Sequence, residues 1–433
     1  MSKNLYFKIT YDVLYDIYAN RSYSSIKLNN ALKSVKDERD KAIVTKIVYG
    51  VLEKDIQIKH ILSALIKNSP QLSTEIILKI GVYCILNLNS IPSYAVVNEL
   101  VNLTKTTRCP YNSGLVNKVL KKIDKAEYNI DLGKDYIKNL SYEYSCPEWA
   151  IKQIHEDYGN DFLIRFLKNK KTNLIHIRLD IKEISKNDFK KLLEDNDISY
   201  KESVYDDSLF VDYVKIRKIK SFDKKYFVQS LGSMSVVRHM NSIQNEMVLD
   251  CCAAPGGKSM YIASKIFPQD VYSSDIHDHR VNLIKKYANF YGIKNIKVFK
   301  CDMTSFEPKL KEKFDKILCD VPCTGSGVVS KKPDVLLFKN ENDIKELNGI
   351  QINILETVKE YLKPGGEIIY STCSVFKKEN SDIVDCFLKN NPEFMISKIE
   401  EEKIRNINEK GAVLLDVDDV NREYYYIAKL TKR

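Results

Sequence analysis

The chain has 433 residues, enough for two or three domains, and its balance of 44% apolar and 29% charged residues is that of a globular protein, not a disordered one. No apolar run is long enough to span a bilayer, and the opening "MSKNLYFKITYDVLYDIY" lacks the apolar stretch of an export signal, so a cytoplasmic setting with reduced thiols is expected. The formal charge of +10 favours a polyanionic partner without naming one, since a general richness in lysine would give the same sum.

Residues 1–130 read as helices. "AIVTKIVYGVLEKDIQIKHILSALI" sets Ile43, Ile47, Val48 and Val51 on one face, and "TEIILKIGVYCILNL" does the same with Ile76, Ile77, Ile80, Cys84 and Ile85. Ser69-Pro70, Ile91-Pro92 and Cys109-Pro110 punctuate the run. A packed bundle without chemistry accounts for all of it.

Residues 131–240 change period. In "NLIHIRLDI" Ile175, Ile177 and Leu179 alternate with His176, Arg178 and Asp180, which predicts a half-buried strand. Ser185, with Asp188 three positions on, predicts an N-cap ahead of a helix through Phe189 and Leu192. "SLFVDYVKI" reads as a second strand. Arg165, Lys168, Lys170, Lys171, Lys215, Arg217, Lys218 and Lys220 give this small α+β module a basic face suited to RNA, or simply a solvated one.

Residues 241–433 alternate strands and helices: "EMVLDCC", "QDVYSSDI", "IKVFKCD", "FDKILCDVP" and "EIIYSTCS" as strands, with helices opened by "GGKSMYIASKI", "RVNLIKKYANFYG" and "IQINILETVKEYL" between them. Repeated β-α units imply a mostly parallel sheet covered on both faces, with ligands past the carboxyl ends of its strands. "GAVLLDV" and "YYYIAKL" are expected to close the sheet with a hairpin. Four strands end in carboxylates, Asp250, Asp275, Asp302 and Asp320, and the Gly-rich turn "CCAAPGGKS" follows the first. That set would repel a pyrophosphate but suits ribose hydroxyls, an amine and a cationic centre, which S-adenosylmethionine combines. The rival is a phosphate-binding loop, because "CAAPGGKS" nearly matches G-x-x-x-x-G-K-[ST]; Cys252 stands where its first glycine should.

Ten cysteines contain no C-x-x-C pair, which argues against zinc. Cys84, Cys301 and Cys386 read as small buried hydrophobes. Cys323 and Cys373 each follow a strand end and should project into the ligand cleft. Beside a methyl donor, a thiolate that adds to carbon 6 of a pyrimidine makes carbon 5 nucleophilic enough to take the methyl group. A carboxyl near ring nitrogen N3, a place Asp320 could fill, would stabilise the adduct, and a base must then remove the carbon 5 proton.

"FDKILCDVPCTG", "LDCCAAPGGKS" and "YSTCS" together resemble the signature segments of bacterial RNA cytosine-C5 methyltransferases, above all the Sun/RsmB family, which modifies 16S ribosomal RNA. "RDKAIVTKIVYGVL", "IPSYAVVNELVNLTK" and "GLVNKVLKKI" resemble that family's N-terminal NusB-like RNA-binding domain. The resemblance implies a multidomain protein: an all-α NusB-like bundle at 1–130, a basic α+β module at 131–240 and an α/β Rossmann-like methyltransferase domain at 241–433. It implies Cys373 as nucleophile, Cys323 as an aid to release of the methylated RNA, and S-adenosylmethionine held by Cys252, Ala253, Ala254, Pro255, Gly256, Gly257 and Lys258 with Asp275, Arg280, Asp302 and Asp320. It also implies 16S RNA as partner and a substrate-side loop at "SKKPDVLL" with Lys332 on the RNA; no metal and a monomer are expected. Two departures stand out. "DDVNREYYYIAKL" has no glycine where the family often has a Gly-Asp-Gly-Phe-like stretch, and "YFVQSLGSMSVV" keeps the family's glutamine, Gln229, without the acidic position after it.

Overall fold

The computed structural model describes residues 4–22, 24–168, 172–240, 245–266, 269–417 and 422–433. The chain divides into two compact units, residues 1–168 with 332–339, and residues 169–331 with 340–433.

The first unit is helical: α1 (Asn4–Asn20), α2 (Ser24–Leu32), α3 (Glu38–Glu53), α4 (Asp55–Leu65), α5 (Leu72–Asn87), α6 (Ser93–Lys105), α7 (Ser113–Asp124), α8 (Tyr136–Tyr144) and α9 (Glu148–Leu167). Asp37 caps α3 by accepting from the Arg39 amide. Helix α9 is broken at Gly159, whose φ of 78° lies outside the helical range. Ile47, Val48, Val51, Ile76, Ile77, Ile80 and Cys84 are fully buried, as their spacing predicts. Inside this core Lys79 Nζ lies 2.6 Å from Asp55 Oδ1, and both side chains are sealed from solvent. Tyr18 donates to the same carboxylate at 2.5 Å, and Lys59 reaches its other oxygen at 2.8 Å. Burial alone would raise the Asp55 carboxyl, but Lys79 and Lys59 outweigh it and hold it below the usual range. Lys79→Met takes away the buried partner of that charge, leaving it Lys59 and Tyr18, and should destabilise the protein by about 3 kcal/mol, read as a lower urea midpoint of the full chain; Asp55→Leu with Lys79→Met should recover most of the loss.

Residues 332–339 belong to this unit. Phe338 meets the Tyr18 ring edge-on at 5.5 Å, Asp334 Oδ2 accepts from the Ser24 amide at 3.3 Å, and Leu337 packs on the helical core. The "SKKPDVLL" segment is therefore anchored through its apolar residues and is no free loop; Lys332 lies exposed at its start.

The second unit holds two sheets. The smaller has the order β2-β3-β1-β4, from β1 (Leu174–Leu179), β2 (Tyr200–Glu202), β3 (Ser208–Asp212) and β4 (Tyr226–Val228), with α10 (Lys186–Asp195), α11 (Tyr213–Ile216) and α12 (Leu231–Arg238). Ser185 caps α10 by accepting from the Asp188 amide, as expected. Two expectations need correction. The strand through "SLFVD" stops at Asp212, because that side chain accepts from the Val214 and Lys215 amides and turns "YVKI" into a short helix. Nor is β1 half-buried: His176 and Arg178 are each 3% exposed. The Arg178 guanidinium lies 4.0 Å from the Phe227 ring centre and 4.5 Å from that of Tyr261, and its Nε donates to Gln229 Oε1 at 2.9 Å. Gln229 is thus a buried packing residue. The basic residues expected on one face are divided: Lys215, Arg217, Lys218 and Lys220 are exposed on α11 and the turn after it, Arg165 and Lys168 belong to the first unit, and Lys170 and Lys171 lie outside the described residues.

The larger sheet runs β11-β12-β13-β9-β8-β5-β6-β7, with β10 also paired to β13. Its strands are β5 (Val248–Asp250), β6 (Val271–Asp275), β7 (Ile296–Lys300), β8 (Phe314–Asp320), β9 (Leu362–Thr372), β10 (Phe394–Ser397), β11 (Asn406–Glu409), β12 (Ala412–Val417) and β13 (Glu423–Lys432); its helices are α13 (Gly257–Ile266), α14 (Asp278–Phe290), α15 (Glu341–Val358) and α16 (Ser381–Asn390). Strands β9, β8, β5, β6 and β7 are mutually parallel, and β10 to β13 extend the sheet antiparallel, with β12 and β13 forming the expected pair. Residues 418–421, where the glycine-containing stretch was sought, lie outside the described residues. Of these units the helical one takes in α8 and α9, and both sheets share the other. Arg178 under Tyr261 of α13 shows why, since the small sheet buries its polar face against the large one.

Candidate active site

Parallel strands end along one edge, so Asp250, Asp275, Asp320 and the residues after Lys300 and Thr372 all come to the same side of the large sheet. The turn after Asp250 is fixed by its backbone: Ala253 N donates to Ser274 O at 2.8 Å, Gly256 N to Ala253 O at 2.7 Å, and the Ala254–Pro255 peptide is cis. Gly256 has φ of 109°, a conformation open to glycine and little else. A Cβ on Gly257 would meet nothing within 4 Å, so this face of the turn is open.

Around that opening stand the expected polar groups. Asp275 is 2% exposed, and Arg280 bridges it to the turn, with Nε 3.4 Å from Asp275 Oδ2 and Nη2 donating to Ala254 O at 3.3 Å. Asp302 is exposed beyond β7, where its Oδ1 accepts from the Thr304 amide and hydroxyl at 2.9 and 2.7 Å. Lys258 donates to Asp320 Oδ2 at 2.5 Å, and Ser371 to Asp320 Oδ1 at 2.8 Å. Burial would lower the Lys258 ammonium, but Asp320 overrides it and raises it. Asp250 is sealed beneath them, accepting from Ser259 at 2.6 Å while Oδ1 has no hydrogen-bond partner, and burial lifts its carboxyl to about 7. These donors and acceptors fit S-adenosylmethionine: carboxylates for the ribose hydroxyls and the amine, negative charge for the sulfonium, and an open glycine turn. They do not fit a nucleoside triphosphate, because the one lysine of the turn is neutralised by Asp320 and no first glycine is present.

The two thiols meet. Cys323, three residues past the end of β8, lies with Sγ 3.3 Å from Cys373 Sγ, just past the end of β9. Both are partly exposed. The Cys323 thiol is pushed well above its ordinary value by its hydrogen bond with Cys373, by burial and by the charge of Glu379, so its sulfur keeps its proton near neutrality. The turn carrying Cys323 also grips Cys373 through its backbone, with Gly327 N donating to Cys373 O at 2.8 Å. A Cβ at Gly327 would stand 2.4 Å from Tyr424 O and 2.8 Å from Cys373 O, both main-chain atoms that cannot yield. Gly327→Ala should displace Cys373 from Cys323, read as a slower closure of a disulfide between them by a thiol oxidant.

Among the other cysteines Cys84 is buried as expected and Cys301 partly so, but Cys386 is exposed: α16 turns Ile383, Val384 and Phe387 inward and leaves Cys386 outward. Sequence reading missed the supports of the site. Ser371 and Ser259 escape notice as ordinary serines, and Glu379 sits in "FKKEN", which reads as a solvated charge run although Glu379 and Asn380 are fully buried. Both serines lie inside the strand-end segments, Ser259 at the end of "CCAAPGGKS" and Ser371 second in "YSTCS", and that placement is the one hint of their role. Among the described residues no group of histidine, cysteine and acidic side chains is arranged to hold a metal ion, and no helix is long and apolar enough to cross a membrane.

Residues 237–431 match the family model described as 16S rRNA methyltransferase RsmB/F, and residues 8–125 match the NusB family. A probable ribosomal RNA small subunit methyltransferase B of Bacillus subtilis is 29% identical over the whole of both chains. Its counterpart in Vibrio vulnificus is 25% identical over 96% of this chain and 97% of its own. Among solved structures, PH0851 superposes with a TM-score of 0.85 at 23% identity over 98% of each chain, and a methyltransferase homolog protein from Pyrococcus horikoshii with 0.59 at 24% over 70% of this chain and all of its own. The glycine turn and strand-end carboxylates thus lie in a segment that matches the RsmB/F methyltransferases, and the helices ahead of it in one that matches the NusB family.

Proposed function

We propose that the protein methylates carbon 5 of a cytosine in 16S ribosomal RNA through a covalent bond between Cys373 and carbon 6. The observation that carries this reading is the pair of thiols 3.3 Å apart at neighbouring strand ends, beside a carboxylate that is already a hydrogen-bond acceptor. S-adenosylmethionine supplies the electrophilic methyl group; the protein does the rest. The Cys373 thiolate forms a bond to carbon 6, and the displaced electron pair makes carbon 5 the nucleophile that takes the methyl. Asp320, steadied by Lys258 and Ser371, faces the pyrimidine N3 edge and stabilises the adduct. Cys323 serves the elimination: its thiol passes its proton to the departing Cys373 sulfur, the thiolate so formed takes the carbon 5 proton, the sulfur–carbon 6 bond breaks and the ring regains its double bond.

The choice of 16S RNA rests on the names of the relatives. The exposed Lys332 and the stretch Lys215, Arg217, Lys218 and Lys220 are the proposed backbone contacts, and a cytoplasmic monomer is the proposed working form. Bisulfite sequencing of ribosomal RNA from cells with and without the protein tests the whole reading. One 16S cytosine should be protected from deamination only when the protein is present, and an unchanged 16S pattern would refute the assignment.

A further inference from the structure

We infer that Glu379 is the positioning residue that sets the two thiols against each other, by gathering the hydroxyl that follows each cysteine onto one carboxylate oxygen. The residue after Cys323 is Thr324 and the residue after Cys373 is Ser374. Thr324 Oγ1 and Ser374 Oγ each donate to Glu379 Oε2 at 2.6 Å. The other oxygen, Oε1, accepts from the Thr324 amide at 2.8 Å and from Gln351 Nε2 of α15 at 3.3 Å. Gln351 Nε2 also donates to Pro322 O at 2.9 Å, on the far side of Cys323. Thr324, Ser374, Glu379 and Gln351 are all buried, Glu379 and Gln351 completely.

Four donors on one carboxylate is a full complement, and only an ionised carboxylate accepts at all four places. An amide in its place would aim an N–H₂ group at hydroxyls or at a backbone N–H. The charge is costly to bury: desolvation raises the Glu379 carboxyl even against the hydrogen bonds that pull it down. A buried carboxylate whose donors come from both cysteine turns and from the helix behind them fixes the separation of those turns. Asn380 adds a second tie on the Cys373 side, its Nδ2 donating to Ser374 O at 2.9 Å and its Oδ1 accepting from Thr372 at 2.6 Å. Glu379 joins that turn to the Thr324 side of Cys323, alongside the bond from Gly327 N to Cys373 O. This assignment of role rests on the two-cysteine reading above, but the geometric claim does not.

The test uses the full chain without RNA. Diamide, an azo oxidant that takes two hydrogens from a pair of thiols and leaves a disulfide and a hydrazine, should close Cys323 and Cys373 rapidly in the wild type, as read by mass mapping of that one linkage. Glu379→Gln should slow closure by about 10-fold or more and lower kcat for methyl transfer by about 10²-fold, with KM for S-adenosylmethionine within about twofold. Thr324→Val, which leaves the carboxylate in place, should follow it, and Thr324→Ser should restore both rates; this pair keeps the test decisive if Glu379→Gln does not fold. A folded Glu379→Gln or Thr324→Val protein with wild-type closure and kcat would overturn the inference. A wild type that closes the disulfide readily yet never bonds to RNA would instead overturn the function proposed above and leave the positioning intact.

Discussion

Cys373→Ala should abolish methyl transfer, lowering the single-turnover rate by on the order of 10⁴-fold or more, the scale expected when a covalent nucleophile is removed. Carbon 5 of cytosine does not attack a methyl group unaided, so no slower route of the same kind is left once the thiolate is gone. The variant should still fold and bind S-adenosylmethionine, because the cofactor turn is held by Ala253, Ser274 and Gly256 backbone and by Arg280 with Asp275, none of which touches the Cys373 side chain. A titration with the cofactor and a methyl-transfer assay on unmodified 16S RNA separate the two properties. Cys386→Ala, on the outer face of α16, is the matched control and should transfer at the wild-type rate. Wild-type transfer by Cys373→Ala would eliminate the covalent mechanism; loss of cofactor binding would mean that Cys373 supports the cofactor turn instead.

The reactive edge of the sheet was legible because its chemistry sits in unbroken runs: an apolar strand, an acid, then a glycine turn or a cysteine. The N-cap at Ser185 and the helical spacing of apolar residues in the first unit were legible for the same reason, since each is a local pattern whose partners lie within a turn or two. What escaped reading depends on partners far along the chain. Arg178 looks like the wet side of a strand until Phe227 and Tyr261 close over it. Glu379 looks like surface until Thr324, 55 residues earlier, donates to it. The segment 332–339 looks like a continuation of the catalytic sequence until Phe338 is found against Tyr18. Period and composition carry no information about such closures.

Cys323→Ala should produce the opposite failure: the first half of the reaction proceeds and the second stalls. Cys373 keeps its turn, its backbone hydrogen bond from Gly327 and its neighbour Ser374, so addition to carbon 6 and methylation of carbon 5 are open to it. The group removed is the thiol 3.3 Å away, which on this reading gives its proton to the Cys373 sulfur and takes the carbon 5 proton in exchange. The methylated RNA then stays bonded to Cys373, and a band of protein plus RNA should build up on a denaturing gel to about one equivalent per enzyme. Multiple turnover should fall by on the order of 10²–10⁴-fold, the usual contribution of a positioned acid or base, while the first turnover is far less affected. Cys323→Ala combined with Cys373→Ala should show no band, which ties the bond to Cys373 and to none of the eight other thiols. A clean gel for Cys323→Ala with undiminished turnover would remove Cys323 from the release step. A band that survives in the double variant would move the nucleophile away from Cys373.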